Sequence, residues 1–129
     1  MRVQQGQGWR LELDYGRQPF VVLLGGHDWT AEFTWQEATL IGQGLQRLLD
    51  QQQALADQLM QEEHLSLEWE SGEIWLALEA AGGSCSLRFI LTAAAGRRSL
   101  EAGWHGPACA AVAAALATQV LDQQQPDLA

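Results

Sequence analysis

Seven consecutive residues, Trp9-Arg10-Leu11-Glu12-Leu13-Asp14-Tyr15, alternate apolar and charged without a break. Side chains on a strand point to opposite faces in turn, so such a run buries one face and wets the other. It predicts a half-buried β-strand. The same period recurs downstream. Phe20 to Leu24 is a continuous apolar run between Pro19 and Gly25-Gly26, which reads as a more central strand, and Asp28 to Thr34 alternates again with Trp29, Ala31 and Phe33 on one side. The connections Gly16-Arg17-Gln18 and Gly25-Gly26-His27 are too short for parallel crossovers, which need a dozen residues or more. Antiparallel hairpins follow.

The period changes at Thr34. Thr34 and Glu37 have capping-box spacing: the hydroxyl can accept from the Glu37 amide while the carboxylate reaches back to the Thr34 amide. Ile41, Leu45, Leu48, Leu55 and Leu59 then follow helical spacing, predicting a helix from about Trp35 to Gln61. Gly42 and Gly44 inside it mark a weak or closely packed first half. Strand patterns resume with Leu65, Leu67 and Trp69, continue through Glu73 to Ala80, and then through Cys85, Leu87, Phe89 and Leu91. Arg98, Leu100, Ala102 and Trp104 share a face of a further strand, after the loop Ala93 to Gly96. Pro107 suits the first position of a second helix, whose apolar stripe is Cys109, Val112, Ala113, Leu116 and Val120.

The fold class is therefore α+β, a duplicated antiparallel β-meander plus helix: three or four strands, a helix, four strands, a helix. The uncertain strand is Arg2 to Gln7, which has two glycines beside it in Gly6 and Gly8. Residues 1–129 read as one domain of two similar halves, about 1–61 and 62–122, with a frayed tail from 123. The halves are matched by Trp9 to Leu13 with Trp75 to Glu79 and Phe20 to Leu24 with Ser86 to Ile90, both at 66 residues. Glu32 to Trp35 matches Glu101 to Trp104 at 69.

Four of these stretches carry a resemblance. Gly8-Trp9-Arg10, Gly25-Gly26-His27-Asp28-Trp29 leading to Glu32, Glu62-Glu63 before Leu65-Ser66-Leu67-Glu68, and Glu101-Ala102-Gly103-Trp104 resemble a small cyanobacterial family described only as a domain of unknown function (number 1818). The resemblance runs from Gly8 to about Leu121. It implies the fold of the single-stranded-DNA-binding transcriptional regulators, shared with the plant Whirly proteins and the positive-cofactor-four coactivator. It brings no established activity. The Lys-rich nucleic-acid-binding stretch of the Whirly proteins has no counterpart here, because the chain has no Lys.

Charge points the same way. Sixteen carboxylates stand against seven basic residues, all Arg, for a formal net charge of -9. Nucleic acid attracts proteins chiefly through cations that neutralise phosphates, and anionic membranes repel an acidic chain. Nucleic acid and membrane are both disfavoured as partners. The N-terminus lacks the apolar core of a secretory signal, and Ala108 to Leu121 is too short to span a bilayer. The expected location is cytoplasmic. Cys85 and Cys109, each in an apolar pattern, read as buried reduced thiols.

Catalytic chemistry is hard to find. His27, His64 and His105 lack metal-ligand spacing, Gly83-Ser84-Cys85-Ser86 is not a nucleophile elbow, and no glycine-rich phosphate loop is present. No enzyme activity, cofactor or metal is expected. Six Trp remain to be explained, and Trp75 is the candidate for exposure because its strand turns Ile74, Leu76 and Leu78 the other way. With Arg88, Arg97 and Arg98 it forms the candidate binding surface, those Arg pairing with carboxylates of the same chain. Glu32, Glu101, Trp35 and Trp104 are expected at the strand–helix corners, with each carboxylate accepting from backbone amides or an Arg. The expected function is a small protein-interaction or regulatory module whose partner is another protein or a second copy of itself. Single-stranded nucleic-acid binding by fold analogy is the alternative.

Overall fold

In a computed structural model that describes residues 1–55, 64–92 and 98–123, the alternating runs pair with their sequence neighbours. Strands β1 (Arg2–Gly6), β2 (Trp9–Leu13), β3 (Val22–Gly25) and β4 (Thr30–Phe33) form one antiparallel sheet in the order β1-β2-β3-β4. Helix α1 (Trp35–Leu55) follows. Strands β5 (His64–Ser71), β6 (Ile74–Ala81), β7 (Ser84–Thr92) and β8 (Ser99–His105) form a second antiparallel sheet in the order β5-β6-β7-β8. Helix α2 (Ala108–Leu116) runs on into a π-helical turn at Ala117–Leu121. Pro107, expected as the first helical residue, instead stands at the N-cap position just before α2 and makes no side-chain cap. Arg2–Gly6 does supply the fourth strand of the first meander, an edge strand exposed along its whole length. The expected end of the first helix at Gln61, the loop 93–96, Arg97 and the tail from 124 lie outside the described residues.

Both meanders repeat in topology, but the 66-residue match does not hold residue by residue. Leu13 is buried and Glu79, 66 residues on, is exposed. Leu24 is buried, whereas Ile90 lies on the face opposite Phe89 and Leu91. An even offset between strands whose inward residues fall on odd and even numbers respectively turns every side chain over. The true structural correspondence needs an odd shift. The 69-residue match of Phe33 with Ala102 keeps the face.

Each helix packs across the molecule. α1, which follows the first sheet, lies chiefly on β5 and β6 of the second, while α2 lies chiefly on β2 of the first. The two helices also touch one another, and α1 meets the π-helical turn. One continuous apolar core results, from Leu11, Leu24 and Phe33 through Ile41, Leu45 and Leu48 to Leu76, Leu78, Phe89 and Val112. The sheets meet along a seam between β4 and β8. There Trp29, Phe33, Phe89 and Trp104 contact edge-to-face, tilted or stacked at centroid distances of 5.3 to 5.9 Å. Trp29 Nε1 donates to the Gly103 carbonyl at 2.9 Å, and Trp104 Nε1 donates to the Gly25 carbonyl at 3.0 Å. Each sheet thus donates an indole N–H to the backbone of the other. Gly103 lets β8 lie close on β7 within its own sheet: a Cβ there would overlap the Leu87 carbonyl and stand 3.1 Å from Arg88 Cα. At the seam itself the close position is Gly26, where a Cβ would stand 2.9 Å from the Gly103 carbonyl.

The two helical glycines prove to be close-packing positions on different sides of α1. A Cβ on Gly44 would overlap Leu76 Cδ1 and come within 2.5 Å of the Trp69 ring, whereas one on Gly42 would sit 3.4 Å from Leu116 and Leu121. Gly44→Ala is expected to lower stability by about 1–3 kcal/mol through overpacking. Gly42→Ala is expected to be neutral or to add up to about 1 kcal/mol from helix propensity. Urea melts of the two variants test this, and similar midpoints for both would contradict it.

Candidate functional site

The capping box forms as its spacing predicts. Thr34 N donates to Glu37 Oε1 at 2.9 Å, and Glu37 N donates to Thr34 Oγ1 at 3.1 Å. Glu37 is also the buried charged residue among those described, and its partner comes from the other sheet. Arg98 Nη1 reaches both Glu37 oxygens at 2.9 Å, Arg98 Nη2 donates to the Glu32 carbonyl at 2.6 Å, and the guanidinium lies 4.6 Å from the centre of the Phe20 ring. Glu37 therefore holds the first strand–helix corner and ties it to the start of β8.

This changes the roles expected for Glu32 and Glu101. Each does face an Arg, but out on the surface: Glu32 lies 3.6 Å from Arg17, and Glu101 lies 3.2 Å from Arg88. Both carboxylates are more than half exposed, at 51% and 56%. They sit on the outward side of β4 and β8, one residue short of the inward register that a corner contact requires. Trp35 and Trp104 are both buried, Trp35 as the first residue of α1 and 6.2 Å from Tyr15. Trp104 lies within β8 and does not open a helix. The second corner carries no carboxylate. Gly106 N there donates to the Cys85 carbonyl at 2.7 Å, and Cys109 N donates to the Gly106 carbonyl at 3.1 Å.

A cleft of about 660 Å³ opens beside the seam, lined by Phe20, Leu23, Thr30, Glu32, Arg98 and Ser99 among others. Arg98 is committed to Glu37 there, and it is the one Arg among the described residues that line this cleft. Arg17, near Glu32, leaves Nε and Nη2 buried without a hydrogen-bond partner.

The outward face of the second sheet is different. Five of the six tryptophans lie in or against the core, and Trp75 is the sixth. Trp75 points outward beside Ile90 and Glu70 in the strand register but is half-buried rather than exposed, with Arg88 over its ring at 5.2 Å. Arg88 Nη1 also donates to Glu101 Oε1 at 3.2 Å. Next to this pair a groove of about 390 Å³ is lined by Ala77, Glu79, Ser86, Arg88, Gly103 and His105, together with neighbouring residues. Gly103 forms the floor of a hollow in this lining between Arg88 and His105. Trp75 and Arg88 of the expected binding surface thus meet, Arg98 lies at the seam instead, and Arg97 is outside the described residues.

One cluster on this face escaped the sequence reading. Glu79 accepts from Ser66 Oγ at 3.0 Å and meets His64 Nε2 at 2.5 Å. Its signal was available: Ser66 lies opposite Glu79 in the register, and His64 shares their outward face. The hydrogen bond from Ser66 first, and that from His64 second, hold the Glu79 carboxyl below the ordinary glutamate range. Among the described residues no group of three His, Cys, Asp or Glu side chains could hold a metal ion. No helix among them is long and apolar enough to cross a membrane.

Fold and site together define a mixed α+β protein of two four-strand meanders, each followed by a helix, with an open groove on its second sheet. A family model described as "Domain of unknown function (DUF1818)" matches residues 4–119, and the chain belongs to that family. The chain is also similar to a protein of unknown function from Prochlorococcus sp. NATL2A, described as of the DUF155 family. That crystal structure has 29% identity and a TM-score of 0.86, with the match covering 92% of this chain and 98% of that one. No curated protein matches.

Two measurements follow from these contacts. Glu37→Gln weakens both the cap and the Arg98 pair, with an expected loss of about 2–4 kcal/mol, whereas Glu32→Gln and Glu101→Gln are expected to change stability by less than about 1 kcal/mol. Denaturant melts that rank Glu32 or Glu101 above Glu37 would reverse the assignment of the corner. The second concerns pH. Because the Glu79 carboxyl is depressed in the folded state, its contribution to stability is present above the unfolded titration range and is lost as pH falls through the folded value. By NMR titration Glu79 should show a low midpoint, and Ser66→Ala should raise it. A midpoint unmoved in that variant would show that the Ser66 hydrogen bond is not the cause.

Proposed function

We propose that this chain is a small non-enzymatic binding module that engages another protein through the outward face of its second sheet, with Trp75 and Arg88 at the centre. The observation that carries the reading is Trp75 itself. A side chain of that size normally repays burial, and the other five tryptophans are used that way. Trp75 is instead half-buried on the outward face, outside the core and beside a groove, with a cation over its ring. Aromatic residues paired with Arg are the usual anchors of protein interfaces. Glu68, Glu70, Glu79 and Glu101 surround Arg88 on this face, so the complementary partner surface is cationic and carries an apolar group for the hollow at Gly103. A second copy of this acidic chain is a poorer complement.

The two repeated meanders with their helices support the single-stranded-DNA-binding regulator-like fold that the sequence resemblance implies, and the reading treats the chain as one domain in a cytoplasmic setting. Fold alone does not bring nucleic-acid binding with it. Arg10, Arg88 and Arg98 are each engaged by a carboxylate of the same chain, at 3.1, 3.2 and 2.9 Å. Few cations are left to release counterions from phosphates.

A pull-down from native cytosol, with and without nuclease, is expected to retain a protein partner after nuclease, and Trp75→Ala is expected to lose it while keeping the thermal melt. A labelled single-stranded oligonucleotide is expected to show no sub-micromolar binding at about 0.15 M salt. Tight oligonucleotide binding that falls on Arg88→Ala would replace the protein-interaction reading with the nucleic-acid one.

A further inference from the structure

Cys85 and Cys109 are 24 positions apart in the chain and meet in space. Cys85 lies at the start of β7, turned inward with Leu87 and Phe89, and is half-buried at the sheet end. Cys109 lies in the first turn of α2 and is buried. Its Sγ is 3.4 Å from the Trp104 carbonyl oxygen and 3.6 Å from the carbonyl oxygen of Cys85 itself. The Cys109 S–H therefore has two carbonyl acceptors around it, one of them on Cys85, whose own side chain points inward toward the same turn of α2.

The local backbone holds this meeting in place. Gly106 N donates to the Cys85 carbonyl, and Cys109 N donates to the Gly106 carbonyl, so the turn into α2 is pinned to β7 at the level of the thiols. The two sulfurs differ in access and in chemistry. The hydrogen bond from Cys109 holds the Cys85 thiol below its ordinary value, and the same contact together with burial pushes the Cys109 thiol well up. The more accessible sulfur is therefore the better thiolate, with a second thiol beside it.

We propose that Cys85 and Cys109 are a redox pair, which a small peroxide converts to an intramolecular disulfide that fastens the first turn of α2 to β7. The Cys85 thiolate attacks one peroxide oxygen, the O–O bond breaks, and hydroxide leaves and takes a proton from solvent. Cys85 is left as a sulfenic acid. The Cys109 sulfur then attacks the Cys85 sulfur, the S–O bond breaks, and the oxygen departs as water with the Cys109 proton. Two thiols are oxidised, and one hydrogen peroxide is reduced to two waters. The bond joins elements that pack on different sheets, since α2 lies chiefly on β2 while β7 belongs to the second sheet. Oxidation therefore braces the two halves against each other beside Trp104. The proposal is independent of the protein-interaction reading.

The test treats the purified full chain with hydrogen peroxide and follows thiol alkylation by intact-mass spectrometry. Wild type is expected to lose both thiols together, to lose the mass of two hydrogen atoms, to yield a cross-linked peptide joining Cys85 to Cys109, and to recover both thiols in dithiothreitol. Cys109→Ser is expected to stop at a dimedone-reactive sulfenic acid on Cys85. Cys85→Ser is expected to keep its remaining thiol at peroxide levels that oxidise wild type. Survival of both thiols in wild type, oxidation of each without the cross-link, or cross-linking only between molecules would each overturn the proposal, and none of these readings depends on the variants folding.

Discussion

The reciprocal donation of indole N–H groups across the seam is the interaction on which the rest of the arrangement depends. Trp29 reaches from the first sheet to the Gly103 carbonyl, and Trp104 reaches from the second sheet to the Gly25 carbonyl. An indole buried at such a seam must find an acceptor, or the burial of its N–H costs about 1–3 kcal/mol. Each sheet supplies the acceptor the other needs. Between the two bonds, Phe33 and Phe89 complete an aromatic cluster whose rings sit at offset or edge-to-face distances. This fixes β4 against β8, and with it the side of each sheet that is left for the helices. α1 then covers β5 and β6 while α2 covers β2, so neither half closes its own core. Arg98 reinforces the junction from β8 by neutralising Glu37 at the helix start.

That junction also shapes the electrostatics. An acidic chain with seven Arg could in principle gather them on one face, but Arg10, Arg17, Arg88 and Arg98 each pair with a carboxylate of the same chain. Arg98 serves the fold, whereas Arg88 serves an open face and shares its charge between Trp75 and Glu101. An exposed pair of this kind adds little stability, so its placement next to a groove and a Trp outside the core is the stronger pointer to binding. Gly103, whose carbonyl accepts the Trp29 indole N–H at the seam, also lines the groove on the outward side of the same strand. One residue thus joins the packing of the seam to the shape of the surface.

Much of the architecture was legible in the sequence because its signals are local. The alternation beginning at Trp9 and the Thr34–Glu37 spacing each need only a few neighbouring residues to act; the cap forms as read, and the strand forms but stops at Leu13, leaving Tyr15 exposed in the turn. Arg2–Gly6 was weakly marked because a short edge strand exposed on both faces has no alternation to display. The candidate site was only half legible. Trp75 could be found from its outward parity, and Arg88 is two residues from Ile90, its register partner. Glu37 was seen as a cap, yet its partner Arg98 lies 61 positions away and leaves no spacing signal. Glu32 and Glu101 match in the two halves, but matching position in a repeat does not say which face a side chain takes, and both lie exposed.

The sequence by itself determined the periods: where the chain alternates, where it turns helical, and that two meanders are each followed by a helix. Those properties are fixed within a few residues by the geometry of strand and helix. Tertiary structure decided which sheet each helix would cover, which carboxylate each Arg would find, and how the two halves are staggered. The 66-residue likeness shows why. A shift of one residue leaves the apolar pattern of a strand nearly unchanged to the eye, yet it exchanges core for solvent along the whole strand. Only the packing of Trp29 against Trp104, with a backbone acceptor waiting on each side, selects the register that buries the right face.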